Sequence, residues 1–501
     1  MELQEAKARI DALQRKEIAY NHAMGLLSYD GATGAPAGTA ANRGETLAVL
    51  SEASYGIATG PEMIETVETL LRHADELDEV TRRIAEVKNK DLTELRKIPV
   101  EDYVAYTKLI NEADAVWHKA KENNDYASFA PYIARIVEFH KKIAALVSPE
   151  KDPYDYWLDR FEEGLTREKC EVFFAALRRE IVPLVKKVTA SPQVDDSLNH
   201  IPFPIPEQEK LSDELMALMG IDRDHCTIST TEHPFTTEFS KYDVRITTHY
   251  HETSFLSSLF SVVHEGGHAL YELNVADELA YTCLGRGVSM GVHESQSRFF
   301  ENIIGRSEAF AALLFPILER LFPEQMKGRT PHGLYLAANK SEPSLIRTEA
   351  DELTYSLHIM VRFEIEKRLF AGEVTAADLP ALWNALYKEY LGVDVPDARR
   401  GVLQDSHWSG GMFGYFPSYA LGSAYGAEIL ARMEREFDVF AAVEHNEIAK
   451  INDWLREHIW KFGSLYKPGE LMEKVFGAPF DPAYYTNYLK KKYASIYGFE
   501  A

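Results

Sequence analysis

Three cysteines in 501 residues are too few and too scattered for a disulfide framework or a thiolate metal site. Cys170, Cys226 and Cys283 stand alone, so the expectation is a reduced, cytoplasmic protein. No run of about 18 apolar residues occurs, which excludes a membrane-spanning helix. Positive charge is also short. Lys and Arg number 54 against 78 Asp and Glu, and a net charge of −24 would repel phosphates, so nucleic acid is excluded as a partner. There is no internal repeat and no low-complexity tract. The first ten residues, Met1 to Ile10, are charged and read as a helix rather than a secretory leader.

What is present is ordinary globular composition, 46% hydrophobic and 26% charged. The length implies one large domain or two closely joined lobes. Apolar residues recur at helical spacing through residues 1–30, 62–71, 78–88 and 104–122 with no strand between them, so residues 1–150 are expected to form a helical, lid-like lobe. Residues 151–501 would form one continuous catalytic body. Residues 152–161 read as a connector, and a further helix runs from about 166 to 187. Two β-branched segments, 226–231 and 242–249, alternate and predict a small sheet. Helical patterning then dominates, the longest stretch being 344–370, interrupted by a Gly- and aromatic-rich segment at 401–419.

Immediately after the β segments stands His264-Glu265-Gly266-Gly267-His268 within an apolar run. Residues four apart share a helix face, so the two imidazoles can grip one metal ion, with Glu265 beside its open side to take a proton from water. A chain of this length shows H-E-x-x-H by accident roughly a few per cent of the time, so the rest of the site has to be found. Catalytic zinc commonly has three protein ligands. Glu272 shares the histidine face but lies about 12 Å along the axis from His264 at 1.5 Å per residue, too far for the same ion. Glu278 falls in a loop. Glu294 opens a helix, where a carboxylate also suits the macrodipole, and spacing alone leaves both readings open. Glu301, two turns on, suits a partner for a ligating imidazole. Each glycine of the Gly266-Gly267 pair costs a helix about 1 kcal/mol relative to alanine, which fits a place where another segment packs close.

Three further clusters carry polar groups. Asp243, Arg245 and Thr247 share one strand face. Arg347, Asp351, Tyr355 and His358 form a helical stripe whose apolar flanks predict a cleft lining rather than a solvated ion pair. Residues 401–419 hold His407, Tyr415 and Tyr419 among glycines that permit close approach to a ligand.

Together these segments resemble the Taq-type thermostable metallocarboxypeptidases. Six motifs occur in the family's order: His233-Pro-Phe235, Asp243-Val-Arg-Ile-Thr247, His264-Glu-Gly-Gly-His268, His293-Glu-Ser-Gln296, Ile346-Arg-Thr-Glu-Ala-Asp351 and Gly401-Val-Leu-Gln-Asp-Ser-His-Trp408. The likeness runs from about residue 150 to the C-terminus. It implies a mainly α, zincin-like fold of two helical lobes, similar to neurolysin and angiotensin-converting enzyme, with a small β-sheet beside a deep groove. It also implies a homodimer. By the same likeness His264, His268 and Glu294 ligate zinc, with cobalt an alternative ion, and Glu265 is general base and later general acid. His407 with Tyr415 would stabilise the oxyanion, with Tyr419 as the rival tyrosine.

A carboxypeptidase also needs a cation for the free C-terminal carboxylate of its peptide, and arginine's planar fork fits it. Arg347 and Arg245 are the candidates, with Gln404 and His233 shaping the pocket. The competing functions are an endo-acting oligopeptidase of the same fold and a non-catalytic peptide- or metal-binding protein. The latter has no use for Glu265.

Overall fold

The computed structural model of the chain describes residues 1–500. Its first six helices follow one another without a strand: α1 (Leu3–Thr33), α2 (Ala40–Thr59), α3 (Pro61–Arg72), α4 (Glu79–Lys97), α5 (Val100–Asn123) and α6 (Tyr126–Val147). Local chemistry sets several of their ends. Asp78 accepts from the Thr81 backbone N–H and starts α4, and Asn124, at φ 56°, ends α5 in the left-handed region. α1, α3 and α4 bury a small core of their own, including Ile10, Val67, Leu70 and Ile84, which closes on Leu279 and Leu284. α5 and α6 belong instead to the main core, through Leu109, Trp117, Phe129 and Ile136.

α7 (Pro153–Phe161), α8 (Arg167–Ala190) and α9 (Ile205–Met219) lead to the sheet. The expected connector at 152–161 is therefore helical, started by Asp152 accepting from Tyr154 N–H. The sheet has three strands, one more than the β-branched pattern predicts: β1 (Cys226–Thr230), β2 (Thr236–Ser240) and β3 (Asp243–Thr248). β3 lies in the middle, parallel to β1 and antiparallel to β2. β2 escapes the pattern because Thr236-Thr237-Glu238 carries no apolar alternation. It matters, because Thr236 pairs with Ile246 and faces the next helix in the chain.

That helix is α10 (Phe255–Leu273), succeeded after a loop by α11 (Met290–Arg298). α11 does not stop at Arg298 but continues as a π-helical segment, Phe299–Gly305. The helix expected from residue 344 starts later, at Glu352, and runs to Ala371. Asp351 is its N-cap, accepting from Leu353 and Thr354 N–H at 3.0 and 3.1 Å, while Arg347 sits in a separate 3-10 turn. The predicted cleft-lining stripe is thus corrected. Tyr355 and His358 are buried, and His358 Nδ1 bonds the Tyr387 hydroxyl at 2.9 Å, because the first half of this helix is enclosed on every side.

One buried histidine ties α5 and α6 to the loop that carries His407. His140 stacks on Trp157 at 3.8 Å, bonds the Tyr106 hydroxyl through Nε2 at 2.8 Å, and meets Phe413 edge-on. Burial, with a smaller contribution from Arg160, depresses its pKa to about 3. The unfolded chain therefore binds a proton below about pH 6.5 that the native state refuses. This stabilisation is complete above pH 6.5 and is lost as the pH falls toward 3, at about 1.4 kcal/mol per pH unit. His140→Phe keeps the stacked ring and loses the titration. Urea unfolding at pH 6.5 and 5.0 should show the wild type losing about 2 kcal/mol more than the variant over that interval; equal losses would contradict the assignment.

Candidate metal centre

Residues 264–268 lie in the second half of α10, so both imidazoles project from one face. Their Nε2 atoms converge on a carboxylate of α11: Glu294 Oε2 lies 3.9 Å from His264 and 3.6 Å from His268. One donor atom from each of the three residues falls within 4.8 Å of the others. Two imidazole nitrogens and one carboxylate oxygen on one side of a cavity form a donor set for a divalent transition-metal ion with open positions. Spacing left Glu294 undecided, and the crossing of α11 over α10 brings it to the histidines.

The surrounding hydrogen bonds orient these donors. His264 Nδ1 is held by Glu301 at 2.8 Å. Arg298 donates to Glu294 Oε1 at 2.7 Å and to Glu301 at 3.2 Å, leaving Glu294 Oε2 for the ion. Burial works against an ionised Glu301, but Arg298 and His264 overcome it and hold this carboxyl well below its usual range. On the other side, His268 Nδ1 meets His293 Nδ1 at 2.6 Å, and His293 Nε2 meets Glu272 at 2.6 Å. Glu272 is indeed too far along α10 to ligate, yet it braces a ligand through an intervening imidazole. Such partners fix tautomer and ring orientation.

Two close backbone approaches set the spacing of these helices. A methyl group on Gly267 would lie 2.7 Å from Gln296 O and Ser297 Cα of α11, and one on Gly422 would lie 2.6 Å from Cβ and Cγ of Glu294. Gly422 belongs to the helix Phe416–Met433. α11 is thus held between two glycines.

Glu265 is buried at the wall of a cavity of about 940 Å³ that also contains His264, His268 and Glu294. Burial pushes its carboxyl up, while His264 and the Thr236 hydroxyl, 2.6 Å away, oppose the shift. The same hydroxyl lies 3.0 Å from the Glu265 carbonyl, so its single proton is shared between the backbone oxygen and the carboxylate and ties the side chain to β2. No sequence signal marked Thr236, because its strand was not legible.

Tyr415 and Tyr419 line the same cavity, with ring centroids 5.0 Å apart. His407 stands behind them, its Nε2 at 3.2 Å from the Tyr419 hydroxyl, and it is absent from the wall. Burial, then the charge of Arg347, depresses its pKa to about 4, so it is neutral at neutral pH.

The two arginines expected to meet substrate are both closed onto aspartates. Arg347 Nε and Nη2 reach Asp405 at 3.0 and 2.9 Å, and Nη1 reaches the Tyr355 hydroxyl. Its partner is Asp405, not Asp351. Asp405 also accepts from the fully buried Arg362, and Gln404 Oε1 accepts from both arginines, at Arg347 N and Arg362 Nη2. The guanidinium of Arg347 lies 5.0 Å from the Tyr419 ring centroid, so this network backs the tyrosine. Arg245 makes a two-pronged pair with Asp243 at 2.9 and 3.0 Å and stacks between Tyr29 and Phe239. It alternates with Val244 and Ile246 and so points away from α10. His233 is exposed, while its neighbours Pro234 and Phe235 line the cavity.

A mainly helical fold with a His-His-Glu metal site and an adjacent buried glutamate defines a metallopeptidase. The chain belongs to the carboxypeptidase Taq (M32) metallopeptidase family, whose model matches residues 9–493. The match includes the N-terminal helices, where no motif was legible. The chain is 39% identical to carboxypeptidase 1 of Bacillus subtilis, over 99% of this chain and 100% of that one. It is 35% identical to thermostable carboxypeptidase 1 of Pyrococcus furiosus, over 97% and 98%. Among solved structures, the M32 carboxypeptidase of Deinococcus radiodurans superposes with a TM-score of 0.95 at 33% identity, covering 99% of this chain and 100% of that one. The protein is a metallocarboxypeptidase. No helix among the described residues is long and apolar enough to cross a membrane.

Proposed function

We propose that this chain releases single amino acids from peptide C-termini, with broad tolerance for the residue removed, using one zinc ion held by His264, His268 and Glu294. The observation that carries the reading is the buried Glu265 carboxylate, pinned by Thr236 beside the three donors. When bound, the ion supplies Lewis-acid activation at the reacting carbonyl and water. Glu265 takes the proton from the attacking water and returns it to the leaving amine. Tyr415 and Tyr419 offer hydroxyl donors toward the developing oxyanion. Burial raises both phenols, which keeps them protonated as donors. His407 positions Tyr419 through its hydrogen bond, and Arg347 supports the same ring. Within residues 1–150, α1 to α4 act as a lid, while α5 and α6 share the main core with the body formed by 151–501, and the enzyme works in the cytoplasm as a homodimer.

The test compares one peptide as its free acid and its C-terminal amide, with products identified by mass after loading the enzyme with zinc or cobalt. Stepwise loss of single C-terminal residues from the free acid, with the amide cleaved at least about tenfold more slowly, is the expected result. Efficient internal cleavage of the amide would replace this reading with the endo-acting one.

A further inference from the structure

We propose that Arg286 is the residue that receives a substrate carboxylate in the metal cavity. The proposal deepens the peptidase reading above and rests on it. Five cationic side chains line the cavity wall, and four are already spent on acids. Arg83 pairs with Glu163 at 3.3 Å, Lys90 with Asp159 at 3.4 Å, Lys467 with Glu163 at 3.4 Å, and Arg160 with Glu94. Arg286 is exposed in the cavity and makes no ion pair among the described residues. Arg245 and Arg347 are closed onto Asp243 and Asp405 and are not on the wall.

The electrostatic setting makes an unpaired cation there consequential. The wall is rich in carboxylates, among them Asp91 and Glu238, which would repel an incoming carboxylate. Burial raises both of these carboxyls, and Arg286 is among the cations that oppose the rise, so its charge reaches both without pairing to either. A substrate carboxylate can occupy the guanidinium without breaking an existing salt bridge.

The root of the side chain is fixed relative to the metal ligands. The Arg286 carbonyl accepts from Ser464 Oγ at 2.8 Å. The next N–H, of Gly287, donates to Glu272 Oε1 at 2.9 Å, and that same oxygen holds His293, which holds His268. A methyl group on Gly287 would lie 2.5 Å from His293 Cδ2, so the backbone approaches the imidazole more closely than any side chain there would allow. A single peptide bond separates Arg286 from a hydrogen-bonded path to a ligand, while its head group stays free. A planar guanidinium on such a base suits two-point binding of a carboxylate.

Two sources offer that chemistry: the C-terminal carboxylate of the peptide, and an acidic side chain beside the scissile bond. The experiment uses metal-loaded enzyme with Arg286→Gln and Arg286→Lys, and three forms of one short peptide. These are the free acid with Gln next to the scissile bond, its C-terminal amide, and the free acid with Glu in place of that Gln. For a C-terminal role, Arg286→Gln raises KM for both free acids at least about tenfold, the loss expected for one charge-assisted contact. kcat stays within about threefold, the slow cleavage of the amide is unchanged, and Arg286→Lys falls between. A rise confined to the Glu peptide assigns the arginine to the side-chain carboxylate instead. Unchanged KM for all three peptides, an equal rise for acid and amide, or metal content below wild type would overturn the proposal. Failure of the underlying reading shows separately, as a wild-type enzyme that releases no C-terminal residue.

Discussion

Glu265→Gln should leave the metal in place and remove nearly all turnover. The substitution is isosteric, and its carbonyl oxygen can still accept from the Thr236 hydroxyl that now lies 2.6 Å from Glu265 Oε2. None of the three donors converging near Glu294 Oε2 is touched. The loss is of the carboxylate that lies next to the His264 ligand on the cavity wall, the one assigned to take a proton from water and hand it to the departing amine. General acid–base catalysis of this kind contributes about 10²- to 10⁴-fold, and the effect should fall almost wholly on kcat, because glutamine fills the same space. Steady-state kinetics beside metal analysis gives the answer. One ion per chain with kcat reduced at least about a hundredfold is expected; a variant within tenfold of wild type would require a different base.

The second large effect comes from residues with no functional group. Gly267→Ala and Gly422→Ala should each weaken metal binding by about 10- to 100-fold, the range for disturbing the support of a ligand. The methyl at 267 would press on the backbone of α11 at Gln296 and Ser297, and the methyl at 422 on the stem of Glu294 itself. Neither obstacle is the loose end of a flexible side chain, so α11 has to move and carries Glu294 with it. Overpacking of this kind costs about 1–3 kcal/mol, readable as a lower melting temperature of the metal-free protein. Gly44 in α2 offers the control: nothing lies within 4 Å of its added methyl, and Gly44→Ala should gain up to about 1 kcal/mol through helix propensity. Chelator competition that finds both site variants as tight as wild type would refute the account.

The distribution of what could be read in advance has a physical cause. His264, Glu265 and His268 were legible because a single helix turn brings them together, and the apolar run around them announces that helix. The glycines at 266 and 267 hinted at close packing for a similar reason, although only Gly267 meets a neighbour's backbone; Gly266 meets the side chains of Met219 and Ile221. Contacts between distant segments were not legible. Arg347 finds Asp405 at a separation of 58 residues, while the aspartate four positions away caps a helix instead. Thr236 reaches Glu265 from a strand whose polar residues hide its periodicity. His293 bonds His268 because two helices cross, and nothing in either helix alone encodes that crossing. The six motifs marked the family and most of the chain that carries it, but they do not state which pairs touch.

The π-helical segment Phe299–Gly305 places a constraint on chain length rather than on residue type. It comes after the ligand Glu294 and contains Glu301, which holds His264. A π turn accommodates a residue that an α-helix of the same span would not. Deleting one residue between Arg298 and Glu301 would let the backbone rewind into regular α-helix and shorten the spacing from Glu294 to Glu301 from seven residues to six, which at about 100° per residue puts the two carboxylates on different helix faces. Glu301 would then leave His264 Nδ1 even though every residue named in this site was still present. Insertions and deletions at these positions are therefore as damaging as loss of a ligand, and the segment acts as a phase marker that keeps two carboxylates of one helix in register with two histidines of another.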